Sequence, residues 1–308
     1  MYEDFTALIR DSAHPLPPLP APPLPPDYEA LVYPGRRSAP VPGIRALIFD
    51  VYGTLFSSAA GDIGAGGAYI PGNLDSLALQ FGKTYTGEEL KEYFRSEVLK
   101  IHTGLFAKTP YPEVRVEEIW DGFLRKAPAG HPPGGFVMSA EELALRYELM
   151  VNPVSPMPGA LETIRILKEA GVVLGIISNA QFFTPLLFDA LLGASPAGLG
   201  FDQDILIYSY ETGEAKPSPV LFAKAGARLS TLGISPEAVL YVGNDMLNDI
   251  YAASSVGFKT LLFAGDGRSL RLREGNRLVR NVRPDAVIRS LAVIPALCGF
   301  PQIRYDIL

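Results

Sequence analysis

The sequence is poor in cysteine and has no excess of basic charge. Its 308 residues include a single cysteine, Cys298, so neither an internal disulfide nor a cysteine-based metal site can form. Lys and Arg number 27 against 33 Asp and Glu, which gives a net charge of −6. A surface that binds nucleic-acid phosphates needs a basic excess. These shortages exclude a secreted disulfide scaffold, argue against a nucleic-acid-binding protein, and make the cytoplasm the expected location.

The sequence also lacks a long apolar run. No stretch approaches the ~18 uncharged apolar residues that a membrane span requires. The N-terminal sequence MYEDFTALIRDS has no apolar segment of the kind found in signal peptides. We therefore expect no membrane association. Hydrophobic residues nevertheless make up 48% of the chain, enough for a sizeable core, and the length favours two structural units.

A proline-rich segment lies near the N-terminus. Residues 15–26 read PLPPLPAPPLPP, a composition that favours an extended polyproline II conformation. We interpret residues 1–43 as an arm that acts as a spacer, and we expect the compact body to begin near Ile44. Because the segment contains PxxP patterns, it could also bind an aromatic-lined groove of a protein partner.

Short apolar runs alternate with helix-length segments through the rest of the chain. The runs cover residues 44–49, 172–177, 205–209, 238–243 and 259–263. Continuous apolar runs of this length indicate strands that are buried on both faces of a parallel sheet. The fold class is therefore predicted to be α/β, with a Rossmann-like parallel sheet core.

One long interruption separates the first predicted strand from the second. It contains helical patterns at residues 73–81, 86–101, 114–123 and 139–150 and no convincing strand. We predict a helical cap domain at residues 60–155, inserted into a core domain that comprises residues 44–59 and 156–308. Because the insert leaves and re-enters at the carboxyl ends of the strands, we expect it to lie over them.

Polar residues gather where the predicted strands end, and ligands of open α/β sheets bind at that edge. They are Asp50 and Thr54 after the first strand, Ser178 and Asn179 at the second, Lys216 after the third, and Asn244, Asp245 and Asp249 after the fourth. An aspartate there can act as a nucleophile and form an acyl-phosphate. A second carboxylate would let the pair bind Mg²⁺, while Lys216, Ser178 and Asn179 would stabilise phosphoryl charge. Thr54 is a third candidate for binding the substrate, beside Ser178 and Asn179.

These motifs carry a family resemblance. The run FDVYGTL at residues 49–55, the Ser178-Asn179 pair, Lys216-Pro217 and the run GNDMLND at residues 243–249 resemble the four motifs of the haloacid dehalogenase (HAD) superfamily. The resemblance implies Asp50 as nucleophile and Mg²⁺ as cofactor. It also implies that the Tyr52 carbonyl is a metal ligand, with Asp245 as its carboxylate partner and Asp249 in support.

Tyr52 is a departure from the pattern of the superfamily's phosphatases. Those enzymes generally carry a second aspartate two residues after the nucleophile, as general acid and base. A phenol, with a reference pKa of about 10, is poorly suited to that task near neutral pH. Asp62, in the loop that enters the cap, is a candidate replacement by its position. Asn244 stands where many relatives have Asp, and the sequence leaves open whether it or Asp245 is the metal ligand.

Three functions are compatible with these residues. We favour Mg²⁺-dependent hydrolysis of a small phosphate ester, because Asp245 is a metal-type carboxylate. A metal-independent 2-haloacid dehalogenase-type hydrolase is the alternative enzyme, since such enzymes also have an aromatic residue at the position of Tyr52. A protein that kept the fold for binding and lost turnover is the third. The arginine-rich run at residues 268–283 is interpreted as solvated surface.

Overall fold

The computed structural model describes residues 2–35, 40–60, 73–81, 85–126 and 138–300. Its strands are β1 (Val32–Tyr33), β2 (Ala46–Phe49), β3 (Phe56–Ser58), β4 (Val154–Pro156), β5 (Val173–Ser178), β6 (Phe201–Tyr208), β7 (Val239–Gly243), β8 (Lys259–Phe263) and β9 (Ala286–Ile288).

The α-helices are α1 (Tyr2–Ser12), α2 (Pro26–Glu29), α3 (Asn73–Ala78), α4 (Gly87–Leu105), α5 (Val116–Lys126), α6 (Ala140–Val151), α7 (Ala160–Glu169), α8 (Thr184–Leu192), α9 (Pro196–Leu199), α10 (Ser209–Thr212), α11 (Pro219–Thr231), α12 (Ala252–Ser255) and α13 (Ile294–Leu297). A π-helical turn over Met246–Tyr251 precedes α12. No helix within the described ranges is long and apolar enough to cross a bilayer.

A parallel sheet of seven strands forms the core, in the order β1-β9-β8-β7-β2-β5-β6. All four residues of β2 are buried. Leu47 and Phe49 join one hydrophobic cluster, while Ala46 and Ile48 join another. Because successive side chains of a strand point to opposite faces, the apolar run packs against helices on both sides of the sheet. The predicted α/β fold with a Rossmann-like core is confirmed.

Among the described residues, four α-helices, α3 to α6, lie between β3 and β4, which pair with each other in an antiparallel ribbon. The start of α4 is fixed by a capping box in which Thr86 and Glu89 each bond the other's backbone N–H. An aromatic cluster joins the helices: the Trp120 ring lies 5.7 Å from that of Phe94 and 4.8 Å from that of Tyr147. This is the predicted helical cap. Its limits at residues 60 and 155 stay a prediction.

The N-terminal segment is packed on the core, which differs from the expectation of a spacer and of a body that begins near Ile44. Phe5 and Ile9 of α1 are buried in the main cluster, where α1 packs on α8. The strand β1 pairs with β9. Even the proline-rich run is attached, since Leu19 accepts a hydrogen bond from the Gly267 N–H. Apolar residues between and around the prolines therefore hold this segment against the core.

Candidate active site

The motif residues meet at the carboxyl edge of β5, β2 and β7, which are neighbours in the sheet. Asp50 directly follows β2 and donates its N–H to Val242 of β7 at 2.9 Å. Ser178 is the last residue of β5, and Asp245 lies two residues beyond β7. The parallel arrangement of three adjacent strands thus brings distant sequence segments together, as the motif order predicts.

Asp50 is held by one of its two carboxylate oxygens. Its Oδ1 accepts hydrogen bonds from Ser178 Oγ at 2.9 Å and from Lys216 Nζ at 2.7 Å, and the residue is only 6% exposed. Within the described ranges no hydrogen bond reaches the other oxygen, Oδ2, while Asp50 lines a small cavity of about 30 Å³. Two donors therefore orient the carboxylate and leave one oxygen for chemistry.

Lys216 connects Asp50 to a second buried carboxylate. Its Nζ lies 2.6 Å from Oδ1 of Asp249 and 3.1 Å from the hydroxyl of Tyr241. Burial by itself lowers the pKa of Lys216, but the Asp249 and Asp50 carboxylates outweigh it and raise the pKa above its ordinary value. For Asp249, burial raises the pKa to about 7, although the charge of Lys216 lowers it. The lysine thus stays charged between the two acids.

The backbone is shaped for this cluster. Asp249 Oδ2 accepts the N–H of Asp245 at 2.9 Å, which brings the carboxylate across Gly243. A Cβ atom on Gly243 would overlap the Asp249 carboxyl carbon, so only glycine allows this approach. The GNDMLND run therefore needs its glycine for packing against its last aspartate.

Tyr52 is turned away from an acid–base role. Its hydroxyl shares a hydrogen bond with Thr184 Oγ1 at 2.9 Å, and the side chain is buried. Burial first, and the nearby Glu148 carboxylate second, raise the pKa of Tyr52 well above its ordinary value. The phenol therefore stays protonated and bonded within the fold. Asp62, the proposed replacement acid and base, lies outside the described residues.

The predicted substrate-binding residues are not equally placed. Asn179 lines the small cavity, with its Oδ1 accepting the Lys216 N–H at 2.6 Å. Thr54 and Ser178, by contrast, are fully buried and are not among the described residues that line it. The Thr54 hydroxyl donates to Asn244 Oδ1 at 3.2 Å. Thr54 therefore supports the turn after β2, whereas Asn179 faces the cavity.

Asn244 and Asp245 face different partners. The Asn244 amide donates to the Ser269 carbonyl at 2.6 Å, so this side chain ties the motif to the segment after β8. Asp245 accepts the N–H groups of Leu247 and Asn248 through Oδ1, at 2.8 and 3.2 Å. Its carboxylate is therefore fixed from the backbone side, as the N-cap of the π-helical turn.

Two arginines of the site were missed by the interpretation of residues 268–283 as solvated surface. Arg271 and Arg273 both line the small cavity, and the Nε of Arg273 lies 3.1 and 3.0 Å from the two oxygens of Asp245. The segment is held there by main-chain bonds, since Arg271 donates its N–H to Asn244 O and its carbonyl accepts the Met246 N–H. Their position shortly after β8, a strand parallel to its neighbours, is the sequence signal that could have indicated them.

A larger cleft adjoins the small cavity. It has a volume of about 680 Å³ and lies between α4 and the core, and Asn179 lines both spaces. Its titratable lining residues are Glu88, Glu92, Arg95, His102 and Glu113. Burial lowers the pKa of His102 below its ordinary value, so the imidazole is neutral at neutral pH. Acidic groups therefore outnumber cationic ones along the described part of this cleft.

The oxygen donors suit Mg²⁺ in kind. The Asp50 and Asp245 carboxylates, with the Tyr52 main-chain carbonyl, are the hard ligands that this ion takes from proteins. Both oxygens of Asp245, however, contact Arg273. No cluster of three or more His, Cys, Asp or Glu side chains suited to a metal occurs in the ranges that the structure describes.

Comparisons with known proteins agree on one family. The family model for "haloacid dehalogenase-like hydrolase" matches residues 44–257. Ribulose-1,5-bisphosphate 5-phosphatase of Halopiger xanaduensis is 32% identical over 151 residues, 49% of this chain and 60% of that protein. Pyrophosphatase PpaX of Halalkalibacterium halodurans is 30% identical over 146 residues, 47% of this chain and 61% of that protein. The chain thus spans less than two thirds of the length of these relatives.

The fold comparison gives the same architecture. A HAD phosphatase from Thermococcus onnurineus superposes with a TM-score of 0.53 at 21% sequence identity, over 84% of this chain and all of that one. At this identity the likeness concerns the fold alone. It agrees with the parallel core and the helical cap described above.

Proposed function

We propose, since this chain belongs to the haloacid dehalogenase-like hydrolases as its motifs predict, that it hydrolyses a small phosphate ester through an aspartyl-phosphate. The observation that carries this proposal is the Asp50 carboxylate: Ser178 and Lys216 donate to its Oδ1, and within the described residues no hydrogen bond reaches its Oδ2. Curated relatives that are named phosphatases support the reaction class.

In the proposed first step Asp50 Oδ2 attacks phosphorus, a bond to the carboxylate forms, and the bond from phosphorus to the alcohol oxygen breaks. Lys216 balances the charge of Asp50 and of the transferring group. Asn179 would donate its amide N–H groups to a phosphoryl oxygen. Water then hydrolyses the acyl-phosphate, releasing phosphate and regenerating the Asp50 carboxylate. Asp62 remains the proposed group that protonates the alcohol and then deprotonates the water.

Mg²⁺ is the proposed cofactor. Asp50, the Tyr52 carbonyl and Asp245 would hold it, and the ion would draw negative charge from the phosphoryl oxygens when bound.

The cleft beside Asn179 is the proposed site for the alcohol half of the substrate. Among the described residues, the cleft is lined by three glutamates and by one charged cation, Arg95; the glutamates are Glu88, Glu92 and Glu113. A second phosphate or a carboxylate on the substrate would meet unfavourable Coulomb energy there, whereas hydroxyl or amino groups would be accepted. We therefore propose a phosphate monoester of a neutral or amino-bearing alcohol as the substrate class.

A metal-independent hydrolase that attacks carbon is the second candidate. Two observations favour it: the Arg273 side chain on Asp245, and the buried Tyr52 phenol where a general acid would stand. In such a reaction Asp50 would displace a halide from a 2-haloacid, and water would cleave the resulting ester.

The decisive experiment measures phosphate release from a panel of monoesters, with Mg²⁺ and with chelator. Wild type is compared with Asp50→Asn and with Asp204→Asn, an exposed aspartate on β6 paired with Arg228. Release that needs Asp50 and Mg²⁺ but tolerates Asp204→Asn is the expected result. Release of halide from 2-haloacids without metal would replace this proposal by the second candidate. If the protein turns over neither phosphate monoesters nor 2-haloacids, the result would favour a protein that kept the fold for binding.

We also propose a partner class and a location. The partner is a small-molecule substrate rather than nucleic acid or membrane, and the location is the cytoplasm, consistent with the acidic net charge and the single cysteine. The role of the proline-rich run in binding a protein partner stays a prediction.

A further inference from the structure

We propose that Arg273 and a divalent cation compete for the carboxylate of Asp245, so that the arginine must leave before a metal can be held there. This inference rests on the proposed function in one respect, the assignment of Asp245 as a metal ligand.

Several N–H donors surround the Asp245 carboxylate. Oδ1 accepts the N–H groups of Leu247 and Asn248 and contacts Arg273 Nε, while Oδ2 contacts both Nε and Nη2 of Arg273. A carboxylate offers about four lone-pair sites. Four N–H groups therefore contact the carboxylate, with the Arg273 Nε–H shared between both oxygens, so within the described residues its lone-pair sites are already engaged.

The side chains of Asp245 and Arg273 differ in how far they are buried. The Asp245 side chain is 8% exposed and bonded to its own backbone turn, whereas the Arg273 side chain is 36% exposed. A guanidinium at the surface can move into water at little cost, since its charge is then solvated. Asp245 thus stays in place, and Arg273 is the group that moves.

The backbone at Arg273 has an unusual conformation. Its φ of 54° is in the left-handed region, and Arg273 is the one non-glycine residue in the described ranges with a positive φ. Such a conformation is unfavourable for a residue with a side chain and persists where the surroundings enforce it. The ion pair with Asp245 and the neighbouring main-chain bonds of Arg271 are among the interactions that hold it here.

The consequence is a lowered apparent affinity for metal. If Arg273 covers Asp245 for nine tenths of the time, the dissociation constant rises about tenfold over that of the open site. A guanidinium beside the site also repels a divalent cation directly. Removal of the arginine should therefore tighten metal binding, although it deletes a charged residue of the site.

The test is a calorimetric titration with Mn²⁺, a divalent probe that binds oxygen ligands. It compares wild type with Arg273→Gln and with Arg273→Gly, which removes the guanidinium while favouring the positive φ. Arg283→Gln is the matched control, because it breaks a different arginine–aspartate pair, with Asp27, on the same run.

We expect both Arg273 variants to bind Mn²⁺ at least about tenfold more tightly than wild type, which is ~1.4 kcal/mol. The Arg283 control should bind as wild type does. Adding Asp245→Asn to Arg273→Gln should abolish the gain. Unchanged or weaker binding in both Arg273 variants would overturn the proposal, as would a gain that survives Asp245→Asn. Because binding is measured without turnover, a failed phosphatase assay would not be mistaken for either result.

Discussion

The ammonium group of Lys216 lies 2.6 Å from Oδ1 of Asp249, and both side chains are almost completely buried. The same ammonium lies 2.7 Å from Oδ1 of Asp50, so one cation forms ion pairs with two buried carboxylates at the carboxyl edge of the sheet. The positive charge of Lys216 therefore stabilises both buried carboxylates.

Replacing the lysine should damage stability and activity together. Lys216→Met leaves Asp50 and Asp249 adjacent without a cation, which should lower the free energy of unfolding by about 3–5 kcal/mol at neutral pH. Because burial raises the pKa of Asp249, its carboxyl gains a proton in the folded state as pH falls. The deficit should therefore shrink as the pH is lowered, and since Lys216 lowers the pKa of Asp249, the variant should take up this proton at a higher pH than wild type. Urea denaturation at several pH values measures it.

A double variant separates the two effects. Lys216→Met with Asp249→Asn removes one cation and one anion, so most of the lost stability should return. Turnover should stay at least about a hundredfold below wild type, because no ammonium remains to stabilise the transferring group. A single variant as stable as wild type would show that the cluster is not balanced in this way.

The acidic cleft should control substrate preference. Glu92→Lys changes the charge of the cleft wall by two units and should favour monoesters that carry a second anionic group by about tenfold in kcat/KM over amino-bearing ones. Glu169→Lys makes the same change at an exposed site on α7, away from the cleft, and should leave the ratio as in wild type. An equal ratio in all three proteins would place the alcohol half elsewhere.

His102 should contribute to the loss of folding stability at acid pH. Its Nε2 is buried without a hydrogen-bond partner in the described part of the chain, and burial lowers its pKa below the usual value of 6.5. A depressed folded-state pKa gives stability that is present above the unfolded value and is lost as pH falls through the folded value. We expect His102→Leu to lose less stability than wild type as the pH falls below about 6.5.

His14→Leu provides the control for that measurement, because it removes an imidazole that is exposed rather than buried. Thermal unfolding at a series of acid pH values distinguishes the variants. Parallel curves for wild type and His102→Leu would count against a buried neutral imidazole.

The N-terminal helix should behave as part of the core. Ile9 is fully buried between α1 and the main cluster, so Ile9→Ala should lower the free energy of unfolding by about 2–4 kcal/mol. Leu19→Ala, at a residue that is 49% exposed, should stay within about 0.5 kcal/mol of wild type. Equal small effects at both positions would restore the interpretation of this segment as a spacer.

The single thiol should report unfolding. Burial raises the pKa of Cys298 to about 12, and the residue is 5% exposed. Because the thiolate is the reactive form, alkylation should be negligible in the folded protein and rapid in denaturant. Rapid labelling under native conditions would contradict the packing of α13.

The meeting of Asp50, Ser178 and Asp245 was predictable because each of these residues lies at or just after the end of an apolar run. A buried strand of a parallel sheet leaves little choice of where its carboxyl end lies, and Asp50, Ser178 and Asp245 sit within two residues of such ends. The arginines were not predictable in the same way. Their segment has no periodic pattern, and its position depends on long-range bonds such as that from Asn244 to Ser269.

The N-terminal segment shows a second limit of sequence patterns. Proline content predicts local conformation, but it does not tell whether that conformation has a surface to lie on. The two-residue strand β1 is too short to give a pattern of alternation, and its pairing with β9 is established by tertiary contact.

That pairing has a consequence for the order in which the protein is made. Val32 of β1 pairs with Val287 of β9, so about 250 residues must be synthesised between the two partners. At about 5–20 residues per second, the edge strand waits tens of seconds for its place in the sheet. During that time β1 and the proline-rich run have to remain unassociated with other chains. Prolines lack the backbone donors that intermolecular β-pairing needs. The run that we interpreted as a spacer therefore also suits a nascent chain that must stay unpaired until its last strand exists.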